Sequence, residues 1–318
     1  MGSYNFRIRI HLSDTQCIQS DEKMIDIQHP DGIHFTLSAI DADKLKNAKD
    51  IIIKGGAYNS SELAMEAGQR CQNALRLTFA KVRFGVDFGK LKEGKARNGK
   101  KVITESDLEI SDQHIMDDVH GLMVYDNDIP TGFIRLHDLS VKIGNQPSRI
   151  IQALNLALKQ NIEFSGIELI AFELFNASFF EQSARARFLM LMIAIEALLE
   201  PKDMDSAALR HVQSLIEATK NCLDLSLIER DSLLGRLNWL LKESISKTGR
   251  EFVNQRLGQR LYNNMPSDKF FTYCYNLRSK IVHKGTYSHA DIGTITPELE
   301  RFASDILCSF YFDLDSND

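Results

Sequence analysis

The feature that most constrains the fold is a change of pattern near residue 147. From there to the C-terminus glycine becomes sparse, and apolar residues recur at every third or fourth position. That spacing gives a helix one apolar face, so the second half is predicted to be a helical bundle. Pro201, Pro266, Gly285 and Pro297 are expected to mark four helix ends. The predicted helices lie near 148–163, 167–200, 205–221, 226–247, 250–262, 268–284 and 296–312.

The first half mixes the two kinds of signal. Apolar residues alternate or cluster at 6–12, 33–40 and 51–53, which predicts short β-strands. After Ser60 and Ser61, apolar residues follow at helical spacing, which predicts one amphipathic helix over about 60–82. The fold class expected from both halves is therefore α+β.

Length and charge bound the organisation of the chain. The 318 residues, of which 43% are hydrophobic, suffice for two ordinary domains. We predict a mixed α+β domain over residues 1–145 and an all-α domain over residues 146–318.

A net charge of -5 argues against a protein that coats nucleic acid by bulk electrostatics, so RNA contact requires a local patch. Residues 90–101 carry six cations against one acid and are predicted to be an exposed loop that either attracts RNA or is merely solvated.

The cysteines and the apolar runs of the sequence predict in which compartment of the cell the protein lies. The five cysteines are odd in number and widely scattered, which is typical of reduced, mostly buried thiols in a cytosolic protein. The most apolar run, residues 188–199, contains an acid and is shorter than the roughly 20 residues of a membrane span. A cytoplasmic protein without membrane contact is therefore expected.

The segment with the most chemistry is residues 273–285, YCYNLRSKIVHKG, in which four residues separate Arg278 from His283 just before Gly285. This segment resembles the HEPN superfamily (higher eukaryotes and prokaryotes nucleotide-binding), whose ribonuclease members carry Arg, four to six residues and then His in a late helix. Residues 187–199, RFLMLMIAIEALL, are similar to an earlier helix of that family and include Glu196. The resemblance covers roughly 148–312 and is greatest to the Apea-like group of prokaryotic antiviral systems.

The resemblance implies a function as well as a fold. It implies a metal-independent endoribonuclease without a cofactor, which pairs as a homodimer through the helical domain. It also implies a role in antiviral defence by abortive infection, as a toxin that cleaves host or phage RNA, with tRNA a plausible substrate. A phage-derived trigger or an inhibitor protein would then control it, and residues 1–145 would sense, restrain or position RNA.

The two motif residues suit this chemistry by themselves. Imidazole titrates near neutrality, so His283 can act as a general acid or base on the ribose 2′-OH. A guanidinium stays charged, so Arg278 can bind phosphate oxygens through paired hydrogen bonds. Residues five apart on a regular helix point about 140° away from each other. Either the helix distorts near Gly285 or a second protomer completes the site, and the resemblance implies the second.

Other candidate residues have two interpretations each. Glu196 either pairs with Arg278 and orients it or is a partly exposed acid, because burial without a partner is costly. Arg256 and Arg260, one helical turn apart, either bind phosphate or simply face solvent. The same choice between RNA contact and ordinary solvation applies to four residues around the motif: Asn276, Ser279, Lys280 and Lys284.

A function of a different class competes with the nuclease. The helical half of the chain is then a non-catalytic module for dimerisation or binding, or the chain is one subunit of a larger defence complex. The sequence matches neither a nucleotide-binding glycine motif nor a strong metal signature, so no cofactor or metal is expected.

Overall fold

The computed structural model describes residues 4–28, 34–89, 114–117, 121–126, 131–134, 143–160, 162–181, 183–284 and 289–312. Over these ranges an antiparallel sheet is followed by a set of helices, so the protein is α+β as predicted. The strands are β1 (Tyr4–Leu12), β2 (Gln16–Ile18), β3 (Met24–Gln28), β4 (His34–Ala39), β5 (Asp50–Tyr58), β6 (Val86–Asp87), β7 (His114–Asp117), β8 (Gly121–Asp126), β9 (Thr131–Ile134), β10 (Ile143–Asn145), β11 (Leu261–Tyr262) and β12 (Met265–Pro266). The helices are α1 (Ser61–Lys81), α2 (Pro147–Leu158), α3 (Gly166–Ser178), α4 (Ala184–Ala197), α5 (Ser206–Lys220), α6 (Leu227–Trp239), α7 (Ile245–Leu257), α8 (Ser267–Lys284) and α9 (His289–Cys308). The lysine-rich segment 90–101 and Gly285 lie outside the described residues.

The main sheet is antiparallel and is ordered β3-β4-β5-β1. The free side of β1 pairs with β8 along its first part and with β6 at its end. Every second residue of β1 is apolar and fully buried, namely Phe6, Ile8, Ile10 and Leu12. This period of two is the pattern expected of a strand with one face on a core, and α1 packs across the sheet.

Helix α1 connects the sheet to the helical half. It packs against β1, β5 and β8 and also against α2, α3 and α9. Asn73 Nδ2 donates to the carbonyl of Ile162 at 3.0 Å, and Ser304 Oγ donates to the carbonyl of Ala80 at 2.7 Å. One continuous cluster of buried apolar residues therefore extends from the sheet into the helices. Independent folding of residues 1–145 and 146–318 remains a prediction.

Two of the predicted helices join segments that the structure separates. The apolar run predicted as one helix over 167–200 is divided into α3 and α4, because Ser183 is extended and its side chain accepts a hydrogen bond from the amide of Ala186. The helix predicted over 226–247 ends at Trp239, and α7 begins after Ser244, which caps it in the same way. Periodicity missed both breaks because apolar residues continue on either side of them.

Pro297 does not end a helix, contrary to the prediction, but lies inside α9. A proline inside a helix removes one backbone hydrogen bond and costs about 3 kcal/mol. On one face of the helix that follows it, Leu299, Phe302 and Ile306 are fully buried. Burial of this face of α9 outweighs the cost of the proline, so the helix continues through it.

All five cysteines are free thiols. Four of them, Cys17, Cys71, Cys274 and Cys308, are buried, which confirms the prediction of mostly buried thiols. Burial raises the pKa of Cys308 to about 12, so its reactive thiolate form is suppressed.

Helix α8, which carries the motif, is packed closely on α7. A Cβ added to Gly249 of α7 would lie 2.1 Å from Cζ of Phe271, whose side chain is fully buried. Only glycine permits this approach of the two helices. The position of α8 therefore depends on a residue that the motif does not include.

We expect Gly249→Ala to lower the free energy of unfolding by about 1–3 kcal/mol, because the added methyl group overpacks the contact with Phe271. The control is Gly293→Ala in α9, where an added Cβ meets nothing within 4 Å. That substitution should be neutral or stabilise the protein by up to about 1 kcal/mol through helix propensity. Urea denaturation followed by circular dichroism measures both, and equal midpoints for the two variants would contradict the packing argument.

Candidate active site

The motif residues lie in the C-terminal half of one regular helix. The α-helical pattern of α8 is continuous from Ser267 to Lys284. The helix is anchored by Phe270, Phe271 and Cys274, which are fully buried, and by Ile281 near its end. His283 is in the last turn, as predicted. The helix thus holds Arg278 and His283 in fixed directions relative to the bundle.

Arg278 points toward α4, where it meets Glu196. Its Nη2 donates a hydrogen bond to Glu196 Oε2 at 3.3 Å. Its Nε lies 3.2 Å from Glu196 Oε1, which is a charge contact without hydrogen-bond alignment. Of the two interpretations left open for Glu196, the ion pair is therefore the one present. The pair fixes the guanidinium while a quarter of the Arg278 side chain remains exposed.

The carboxyl group of Glu196 is in an environment that disfavours its charge. It follows the buried residues Met192 and Ile195 on α4. Burial raises the pKa of Glu196 above its ordinary value, and the charge of Arg278 opposes this shift only in part. Because the folded-state pKa is raised, ionisation of Glu196 costs stability as the pH increases through that pKa. Arg278 limits this cost and is therefore a structural partner as well as a candidate catalytic residue.

His283 lies on the other side of α8. It is exposed, as are Asn276 and Lys280, which share its face of the helix at intervals of three to four residues. Five residues separate Arg278 from His283, so the two side chains leave the regular helix about 140° apart. The distortion considered as one way of bringing them together is not present in α8. Within one protomer, the motif places its two groups on different faces.

The remaining candidates are two residues of α8, Ser279 and Lys284, and two arginines at the end of α7 and just after it. Ser279 is half-buried, and the side chain of Lys284 lies outside the described residues. Arg256 is not a freely solvated cation, because its guanidinium carbon lies 3.8 Å from the ring centre of Phe310. The prediction that Arg256 and Arg260 occupy one helix is wrong, since α7 ends at Leu257. The bend at Gly258, with φ of 55°, ends the helix before Arg260.

Sequence reasoning missed two polar clusters that fix α9. Tyr262 Oη donates to Asp305 Oδ2 at 2.7 Å, and the guanidinium of Arg301 lies over the Tyr262 ring. Arg187 at the start of α4 forms an ion pair with Glu300, beside a cavity of about 180 Å³. The partners are 43 and 113 residues apart, so no local pattern reveals them. Both clusters hold the helices that flank α8, and neither includes a motif residue.

Comparison with protein-family models, with curated proteins and with solved structures finds no match to this chain. Among the described residues no helix is both long and apolar enough to cross a membrane.

We expect Arg278→Ala to destabilise the protein by about 1–2 kcal/mol at pH 7, between the values typical of surface and buried ion pairs. The loss should be smaller at pH 4, because a protonated Glu196 tolerates burial without a cation. Urea denaturation at the two pH values measures the difference. The matched control is Glu196→Gln combined with Arg278→Ala, which should recover part of the stability at pH 7. A loss that does not depend on pH would show that the carboxylate of Glu196 has no part in it.

Proposed function

We propose that this protein is a metal-independent endoribonuclease of the HEPN type. The observation that carries the proposal is the arrangement on α8, where Glu196 holds Arg278 in place and His283 is exposed in the last turn. A charged group that binds phosphate and a group that titrates near neutrality are the two requirements for cleaving RNA without metal. Glu196 acts here as a positioning residue for Arg278.

The reaction is an attack of the ribose 2′-OH on the adjacent phosphate. His283 removes the proton from the 2′-oxygen, which forms the new bond to phosphorus, while the bond to the 5′-oxygen breaks. The leaving 5′-oxygen takes up a proton from water, and Arg278 stabilises the charge on the phosphate oxygens. The products are a 2′,3′-cyclic phosphate and a 5′-hydroxyl. Asn276 and Lys280, on the face of His283, bind the RNA backbone beside the reacting phosphate.

The proposed site combines residues from two copies of the chain. Arg278 and His283 leave one helix about 140° apart, so a single protomer does not direct both at the same phosphate. In a homodimer with two-fold symmetry, Arg278 of one copy and His283 of the other face a shared cleft, and the same pair is repeated on the opposite side. The exposure of His283 supports this arrangement, because an exposed side chain is available to a second copy.

The proposal extends to a biological role. The protein acts in the cytoplasm, in antiviral defence, on RNA that includes tRNA as a candidate substrate. The sheet of the first half responds to a phage-derived trigger or an inhibitor and controls the cleavage. The extensive contact of α1 with α2, α3 and α9 supports such control, because a change at the sheet reaches the helices through packed side chains.

A second candidate function is a non-catalytic module for dimerisation or binding, alone or as a subunit of a larger defence complex. The ion pair with Glu196 favours it, because Arg278 already has a structural role inside one protomer. Under this function α8 would supply only the framework of an interface. The two candidates differ in what the exposed His283 contributes.

We expect His283→Ala to reduce the rate of RNA cleavage by about 100-fold or more, which is the usual contribution of a general acid or base. Purified protein is incubated with total RNA in EDTA, and the new ends are mapped. The matched control is His211→Ala, which removes another exposed histidine, on α5. Because both side chains are exposed, thermal unfolding should be nearly unchanged for both variants. Cleavage that survives in His283→Ala, or RNA that stays intact with wild type, would favour the binding module.

Mixing the Arg278→Ala and His283→Ala proteins tests whether the site is shared. In a random mixture about half of the dimers contain one subunit of each kind, and each such dimer has one intact Arg–His pair if the pair spans two subunits. Activity of about a quarter of wild type is therefore expected from two proteins that are inactive alone. No recovery after denaturation and joint refolding would rule out a site formed between subunits.

A further inference from the structure

Helices α5 and α6 form a hairpin whose principal contact is between the two helices themselves. Its base is closed by hydrogen bonds from the amide of Met204 to the carbonyl of Leu241 and from the amide of Glu243 to that of Lys202. An ion pair between Lys242 and Asp203, at 2.7 Å, supports the same closure. The hairpin is thus a defined unit of the bundle. Its second helix, α6, has no buried residue.

One face of α6 exposes a large apolar residue near each of its ends. Ile228 is 83% exposed and Trp239 is 81% exposed. Eleven residues separate them, so they lie about 20° apart around the helix. Ser232 and Gly235 lie between them on the same face, within an arc of about 60°. A Cβ added to Gly235 would meet nothing within 4 Å, so the middle of this face is open to a close neighbour. Exposed apolar patches of this kind mark interaction sites.

We propose that this face binds the same face of a second copy of the chain, with the two α6 helices antiparallel. Along the face the side chains run large, small, small, large, and this order is symmetric about a point between Leu233 and Leu234. In the antiparallel register Ile228 of one copy lies against Trp239 of the other, and Ser232 lies against Gly235. Large residues thus meet at both ends and small residues meet in the middle, where the helix axes approach. An isologous contact requires this kind of self-complementarity.

The charged residues beside the exposed face of α6 also fit a second copy of the chain. Glu229 and Arg236 are exposed and lie on one flank, about 80° from the centre of the face. In an antiparallel pair related by a two-fold axis, each flank meets the same flank of the other helix in reverse. Glu229 of one copy therefore lies beside Arg236 of the other, and the pair occurs twice. In a parallel pair related by a two-fold axis this flank would meet the opposite flank, where the exposed Asp231 would lie near Glu229, so the charges favour the antiparallel arrangement.

The contact between two α6 helices is small, so we expect it to be weak. Helix α6 has 13 residues, which is a length of about 20 Å. One crossing of two such helices buries less than the roughly 800 Å² per partner of a typical stable complex. The dimer should therefore dissociate on dilution. This contact does not rest on nuclease activity, and its test is separate from the assays of RNA cleavage.

Sedimentation equilibrium of the full chain over a wide range of concentrations tests the proposal. Trp239 is the only tryptophan of the chain, so its fluorescence should shift to shorter wavelength over the same concentrations as the mass increases. Ile228→Arg should raise the dissociation constant about tenfold or more, as loss of a central apolar contact does. The matched control is Met24→Arg, at an exposed apolar residue of β3, which should leave dimerisation unchanged.

A charge exchange tests the orientation. Arg236→Glu should weaken the dimer, because it places an acid beside Glu229 of the other copy. Adding Glu229→Gln should restore part of the affinity, and glutamine keeps the capping interaction with Ser226. A protein that stays monomeric, self-association that Ile228→Arg leaves unchanged, or a Trp239 signal that follows an added protein and not the concentration of this chain would overturn the proposal. Equal affinity of the wild type and Arg236→Glu would overturn the antiparallel orientation.

Discussion

Helix α1 is buried on two sides, and both halves of the protein depend on that double contact. All residues from Ala74 to Ala80 are buried, including Arg76 and Thr78. An amphipathic helix on a protein surface buries only one stripe, so continuous burial requires neighbours on opposite sides. The sheet supplies one neighbour, and α2, α3 and α9 supply the other. The position of α9 then sets that of α4, and α4 carries the partner of Arg278.

The ion pair between Arg278 and Glu196 shows how a structural need and a chemical function compete for one side chain. Burial disfavours the charge of Glu196, and Arg278 compensates for part of this cost. A catalytic arginine benefits from the same contact, because a guanidinium held in one direction needs less reorganisation when it binds phosphate. The pair therefore suits a nuclease and a structural module alike. The exposed His283 has no comparable structural role among the contacts of α8, and it decides between the two functions.

Self-association enters the proposals through two different surfaces. At α8 one regular helix directs its two motif residues apart, so a shared site needs a second copy. At α6 the side chains of Ile228 and Trp239 are largely exposed, and the charges beside them fit a second copy. The two surfaces lie on different helices of the bundle.

The sequence by itself determined the strands β1, β4 and β5, the helix α1, the helical character of the second half, and where the motif lies on its helix. The alternation of apolar residues in β1 and the cap and spacing of α1 are local properties, so they can be recognised without the fold. It did not determine the break at Ser183 or the continuation of α9 through Pro297. In both cases a local preference competes with burial against distant residues, and only the packed structure decides which prevails.

The candidate site divides in the same way. The spacing of Arg278 and His283 is local, so the sequence alone fixed the angle between them once a regular helix was assumed. The contact of Arg278 with Glu196 joins residues 82 positions apart, and it depends on how α4 and α8 pack. The same holds for Arg256, which lies over Phe310 of a distant segment and not in solvent. Sequence patterns specify directions within an element, whereas tertiary packing decides which groups those directions meet, because the partners come from elements that are remote in the chain.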